Sequence, residues 1–215
     1  MTEFVRFLVV LDADSTLIED EVIELLADAA GSLALVAEVT EQAMRGEIDF
    51  AQSLRLRVKT LAGLSTDVFA EVGRLVRPTP GVQELIDGLH AQGSRIGVVS
   101  GGFHEVLDPL AAAFGLDHWR ANRLEVADGR LTGGLVGPVI DAAAKAAALR
   151  EWAALEGVAL PQTVAVGDGA NDLTMMRAAG LGIAFNAQPI VRAQADLALD
   201  TRDLSQVLPI LGLRG

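Results

Sequence analysis

Phe7-Leu8-Val9-Val10-Leu11 runs without a polar break. Such a run predicts a strand buried on both faces, as in a parallel sheet. Between residues 21 and 76 apolar positions recur every three or four residues instead, which predicts amphipathic helices over 21–31, 33–45, 50–61 and 66–76. The first three stop at Gly31, Gly46 and Gly63, the residue type that ends helices most readily. No strand pattern interrupts them, so residues 18–77 read as an inserted helical cap. Pro78 and Pro80-Gly81 mark re-entry to the main domain. Helix and strand patterns then alternate: helix 82–92, strand 95–100, helix 105–114, strand 123–126, strand 130–132, helix 139–155, strand 163–166 and a short helix to 179. The two strands 123–126 and 130–132 flank Asp128-Gly129 and predict a hairpin. Apolar segments 181–185 and 196–199 complete the sheet. The pattern predicts an α/β core with a parallel central sheet, residues 1–17 and 78–215, carrying the cap at 18–77.

The 215 residues suit one sizeable domain with a small insert. Half the residues are hydrophobic but only 4% aromatic, so packing rests on Leu, Val, Ile and Ala. No window approaches the ~18 apolar residues of a membrane span. The N-terminus lacks the look of a signal peptide. With no cysteine, disulfides and thiolate chemistry are excluded, and the cytosol is the expected compartment. The net charge of −12 repels nucleic acid, which is bound through Lys and Arg. It repels phosphorylated small molecules equally, so any phosphate chemistry here calls for a divalent cation and a few placed positive groups.

Three predicted strands end in chemistry: Asp12 and Asp14, then Ser100-Gly101-Gly102, then Asp168 with Asn171 and Asp172. In a parallel sheet those ends share one edge, where ligands collect. Taken singly, each has a plain explanation. Ser15 or Thr16 caps a helix, Gly-Gly and Asp-Gly are turns, and one lysine is usually solvated. Helix capping does not explain two acids placed before Ser15, and the joint placement points to a site. Asp12, Asp14 and Asp168 form a hard oxygen set suited to Mg²⁺, and a cation relieves their repulsion. One acid of the first pair can attack phosphorus while the other handles protons. Ser100 and the Gly101 and Gly102 amides can donate to phosphate, and Lys145 can add a point charge.

The stretches Asp12-Ala13-Asp14-Ser15-Thr16-Leu17, Val99-Ser100-Gly101-Gly102-Phe103, Lys145 and Gly167-Asp168-Gly169-Ala170-Asn171-Asp172 resemble the four motifs of the haloacid dehalogenase superfamily of phosphohydrolases. Their wording is that of its phosphoserine-hydrolysing branch, and the likeness covers essentially the whole chain. It implies a Rossmann-like core with a helical-bundle cap. It also implies Mg²⁺-dependent hydrolysis of O-phosphoserine through an aspartyl-phosphate, the closing step of serine biosynthesis. By this resemblance Asp12 is the nucleophile, and Asp14 the general acid and then base. Mg²⁺ is held by the Asp12 carboxylate, the Asp14 main-chain carbonyl and Asp168. Ser100, Gly101 and Lys145 bind phosphate, Asp172 supports the metal, and Asn171 lies close to the substrate. Glu21 faces the substrate amine, Arg57 clamps its carboxylate, and Phe50 with Met44 walls the cap.

One acid and one forked guanidinium are what the two charged ends of an amino acid call for. Without the resemblance, Glu21 reads as a first-turn acid and Arg57 as a surface charge. Ala13 is smaller than the residue often found there, and Asp141-Ala142-Ala143-Ala144 is a plain lead-in to Lys145. The implied partner is a small phosphorylated amino acid, with neither nucleic acid nor membrane, and the protein a monomer or homodimer.

Two rival readings remain. A phosphotransferase passing the phosphoryl group to homoserine would use the same chemistry. A nucleotide-binding module would use the same core, although no Gly-x-Gly-x-x-Gly follows the first strand and Lys145 lacks P-loop spacing. His90, His104 and His118 match no motif and read as structural or exposed. Trp119 and Trp152 read as packing residues.

Overall fold

The computed structural model describes residues 5–213, apart from the side chain of Met44. Among these residues the strands are β1 (Leu8–Leu11), β2 (Arg95–Phe103), β3 (His118–Ala127), β4 (Arg130–Val136), β5 (Thr163–Gly167), β6 (Leu181–Phe185) and β7 (Leu197–Leu199). They form one sheet in the order β4-β3-β2-β1-β5-β6-β7, parallel except for β4. The unbroken aliphatic run becomes β1, wholly buried between β2 and β5. Leu11 pairs with both Val98 and Val166, so β1 and β5 end nearly level while β2 runs on past them with Ser100-Gly101-Gly102.

Between β1 and β2 run α1 (Val22–Ala29), α2 (Leu33–Met44), α3 (Phe50–Lys59) and α4 (Val68–Leu75), with no strand among them. The chain leaves and re-enters the sheet region at one place. Ile18 bridges Pro78, Glu19 N donates to Arg77 O (2.9 Å), and Thr79 N donates to Leu17 O (3.0 Å). A second seam lies at the far end. The α3–α4 link pairs with β4 through Gly63 N to Leu131 O (2.8 Å) and Leu131 N to Leu64 O (2.9 Å). It thereby covers the otherwise open edge of the sheet.

The period of two along a strand sorts the rest. Val9 and Leu11 pack in one cluster with α5 (Val82–Ala91), α6 (His104–Phe114) and the inserted helices. Leu8 and Val10 pack in another with α7 (Ala142–Leu155) and α8 (Leu173–Ala178). Burying each Val or Leu is worth about 1.5–3 kcal/mol, which fixes which layer covers which face.

The structure departs from several expected spans, among them β4, which runs to Val136 rather than stopping at 132. β2 continues through Gly101-Gly102 to Phe103. β3 begins at His118, pairs in parallel with β2, and only later turns antiparallel to β4. Its opening lacks an apolar pattern because His118 and Arg120 reach out to Glu156 and Glu151 instead. α7 starts at Ala142, because Asp141 accepts a hydrogen bond from Ala144 N (2.8 Å) and caps it. The short helices α9 (Pro189–Arg192) and α10 (Val207–Ile210) had no counterpart in the pattern. The Asp128-Gly129 hairpin is present, both residues at positive φ (51° and 71°) as its turn requires. No helix among the described residues is long and apolar enough to cross a membrane.

Candidate active site

The strand order reverses beside β1, which is where open α/β sheets place their ligands. There the ends of β1 and β5 open onto a cavity of about 310 Å³. Its wall includes Asp12, Asp14, Glu21, Arg57, Gly101, Asp168 and Asn171. Asp12 N donates to Val166 O (2.9 Å), which keeps the residue level with the end of β5. Its Oδ1 accepts from Ala13 N and from Lys145 Nζ, both at 2.7 Å. Lys145 sits on the first turn of α7, completely buried, and its Nζ also donates to Asp172 Oδ1 (2.7 Å). Asp172 Oδ2 accepts from Gly169 N (3.1 Å). One carboxylate oxygen from each of Asp12, Asp168 and Asp172 lies within 4.8 Å of the others.

Ser100 lies just behind the cavity wall, with Oγ accepting from Gly102 N (2.8 Å). Its own proton is therefore available to a ligand. The glycines allow close approach. A Cβ on Gly101 would come 2.8 Å from Phe50 Cζ, and one on Gly102 2.8 Å from Asp14 Oδ2.

The inserted helices supply the opposite wall. Ser15, held at φ 55°, donates from its hydroxyl to Glu21 Oε1 (2.7 Å), and Val22 N donates to Asp14 Oδ1 (3.3 Å). Asp49 caps α3 by accepting from Gln52 N (2.7 Å), and the helix presents Phe50 and Arg57, seven residues apart, to the cavity. Residues at that spacing share a face. Arg57 has no carboxylate within salt-bridge distance among the described residues.

The sequence profile of haloacid dehalogenase-like hydrolases matches residues 9–177. The chain belongs to the haloacid dehalogenase-like hydrolase family. It is 51% identical over 207 residues to a phosphoserine phosphatase of Streptococcus thermophilus, covering 96% of each chain. It is 56% identical over 206 residues to one of Streptomyces coelicolor, of which it spans half the length. A solved phosphoserine phosphatase with bound substrate superposes with a TM-score of 0.90 at 41% identity, covering 95% of this chain and 98% of that one. A phospho-aspartyl intermediate analogue of phosphoserine phosphatase gives 0.90 at 42% identity, covering 96% and 99%.

In this haloacid dehalogenase-like hydrolase the acids are crowded enough to alter their titration. Burial, with the charge of Glu21 adding, pushes Asp14 up to about 7. Burial and then the charge of Asp172 push Asp168 up to about 7. Burial and Asp172 raise Asp12 against the pull of Lys145. Burial works against the Lys145 ammonium, but Asp12 and Asp172 outweigh it and keep the group charged. Burial also raises Glu21 and lowers Arg57. Hard oxygen donors that disfavour their own charged forms fit a divalent cation, which supplies the opposing charge.

The structure brings Asp12, Asp14, Glu21, Phe50, Arg57, Gly101, Asp168 and Asn171 to one cavity, with two differences of position among the expected groups. Ser100 and Lys145 stand a layer behind the wall rather than on it. The Asp14 carboxylate lies outside the three-acid cluster, whereas Asp172, expected as support, contributes an oxygen to it. The Met44 side chain lies outside the described residues. Glu24, Thr40 and Gln188 also line the cavity, and no motif or spacing signalled them. His90, His104 and His118 bond Asp117, Asp108 and Glu156, and none lines the cavity.

Proposed function

We propose that this chain is a Mg²⁺-dependent phosphoserine phosphatase, with residues 18–77 acting as a cap over the core formed by 1–17 and 78–215. The observation that carries the reading is a single cavity with Asp12, Asp14 and Asp168 on one wall, Lys145 buried behind them, and on the other wall Glu21 with Arg57, which no carboxylate among the described residues pairs. Phosphoserine has the matching ends: a phosphate, an ammonium and a carboxylate. Relatives of nearly equal length named phosphoserine phosphatase support the substrate assignment.

The Asp12 carboxylate is fixed by Ala13 N and Lys145, which leaves its second oxygen to attack phosphorus. As the P–O bond to serine breaks, Asp14 gives its proton to the departing serine oxygen. A group held near 7 carries that proton at neutral pH and can return to the base form. The Asp14 carboxylate then takes a proton from water, which attacks the aspartyl-phosphate and frees phosphate and Asp12. Lys145, the Ser100 hydroxyl and the Gly101 amide hold phosphate oxygens throughout, and Asn171 lies beside the substrate. Mg²⁺ would be held by the carboxylates of Asp12 and Asp168 and the Asp14 carbonyl, with Asp172 in support, and would neutralise charge on the phosphoryl oxygens. Glu21 takes the ammonium and Arg57 the carboxylate. The same reading has the protein act in the cytosol on a small molecule, without nucleic acid or membrane, as a monomer or homodimer, closing serine biosynthesis.

The test is a turnover panel of O-phosphoserine, phosphothreonine and sugar phosphates, with and without Mg²⁺ and with added homoserine. The expected result is Mg²⁺-dependent release of serine and phosphate, with O-phosphoserine preferred. Formation of phosphohomoserine would overturn hydrolysis in favour of phosphotransfer. Binding of NAD or ATP without turnover of any phosphate ester would favour a nucleotide-binding module.

A further inference from the structure

We propose that Asn122 is a positioning residue that fixes the Gly101–Gly102 peptide and, through it, orients the Ser100 hydroxyl for phosphate binding, an inference that rests on reading the cavity as a phosphomonoester site. Asn122 is only 2% exposed. It sits in β3 where pairing changes from parallel with β2 to antiparallel with β4. Its Nδ2 donates to Gly101 O (2.8 Å) and its Oδ1 accepts from Ile140 N (2.8 Å). Both ends of the amide are engaged, which fixes which end is nitrogen.

Gly101 O belongs to the same peptide plane as Gly102 N–H. In a trans peptide the two groups point in opposite directions. Holding the oxygen at Asn122 therefore aims the N–H at Ser100 Oγ, 2.8 Å away. That bond occupies Ser100 as an acceptor and turns its hydroxyl proton outward, toward a phosphate oxygen.

The peptide needs such a hold for two reasons. Two adjacent glycines have the widest backbone freedom available. The β2–β3 ladder also shifts register between Val99 and Phe103, so regular pairing does not restrain this segment. The side chain of Asn122 takes the place of the missing ladder bond. Its other end grips Ile140, next to the Asp141 cap of the helix that carries Lys145. One amide thus ties together the two elements assigned to the phosphate.

The experiment measures inorganic phosphate and L-serine binding to the Mg²⁺-loaded protein by calorimetry, alongside kcat, KM and Tm. The variants are Asn122→Leu, which removes both hydrogen bonds, and Asn122→Asp, which keeps only the acceptor. Leu85→Ala, a buried change in α5 away from the cavity, is the control for general destabilisation. Loss of the donor should weaken phosphate binding by about tenfold or more and leave L-serine binding within about twofold. Leu85→Ala should lower Tm without that split. If Asn122→Leu fails to fold, Asn122→Ser carries the same comparison. Unchanged phosphate affinity, equal weakening of both ligands, or the same split in Leu85→Ala would overturn the inference. Wild-type protein inert toward O-phosphoserine would overturn the proposed function instead, so the two failures are distinguishable.

Discussion

Lys145 is completely buried, yet it is charged, because Asp12 and Asp172 each hold its ammonium at 2.7 Å. Removing one member of a buried charged set strands the others and costs about 3–5 kcal/mol. Lys145→Met should therefore lower Tm sharply as well as abolish turnover, whereas loss of activity alone would place Lys145 outside the structural core. Asp12→Asn is gentler, since an amide can still accept from Ala13 N and Lys145. It should fold normally by circular dichroism and lose at least about a thousandfold in kcat. Near-normal turnover would remove Asp12 as nucleophile. Arg57→Ala should raise KM for O-phosphoserine about tenfold or more while sparing an aryl phosphate, and equal losses on both would contradict a carboxylate clamp. At this scale the acids at strand ends were legible, because an aliphatic run announces where a strand stops. Asn122 and Glu24 were not. Each is a single polar residue without periodicity, and the contacts of Asn122 lie 18 and 21 positions away along the chain.

Helices and strands place these groups, and their ends matter more than their middles. Asp141 looks like filler before Lys145, but it caps α7 and so sets where the lysine points. Asp141→Ala should cost about 1 kcal/mol and lower Tm by roughly 2–4 °C, read by calorimetry. Unchanged Tm would mean that the packing of α7 on β1 and β5 holds the helix without its cap. The apolar spacing from Val139 onward misplaced the start of this helix, because Val139 and Ile140 pack inward without being helical. β3 was only half legible for a related reason. Its first residues spend their side chains on hydrogen bonds to Glu151 of α7 and to Glu156 just past its end, leaving no alternation to read. The inserted helices, by contrast, were plain, since three- and four-residue spacing with glycine stops needs no tertiary information.

The whole molecule adds what no local pattern carries: the order of the strands. Reversal beside β1 brings Asp12 and Asp168 together from positions 156 residues apart in sequence. The resulting crowding has a consequence for stability. Asp14 and Asp168 titrate near 7 in the folded protein against an ordinary 3.8. Without metal, the folded state therefore holds protons that the unfolded state has released. Stability from this source is complete below about pH 4 and is lost as pH rises through 7. Mg²⁺ at a hundredfold of its Kd should add about 2.7 kcal/mol, a Tm rise of roughly 5–10 °C at pH 8. That rise should shrink toward pH 5, as protons compete for the same oxygens. A Mg²⁺ effect absent at pH 8, or larger at pH 5, would contradict the cluster as the metal site.

The whole mechanism turns on Asp12 taking the phosphoryl group itself. Acid quenching during turnover of ³²P-labelled O-phosphoserine with Mg²⁺, followed by peptide mapping, tests it directly. Acid-stable label is expected on the peptide containing Asp12, and none in Asp12→Asn. Rapid release of labelled phosphate with no protein-bound label at any quench time, or label on another residue, would contradict it.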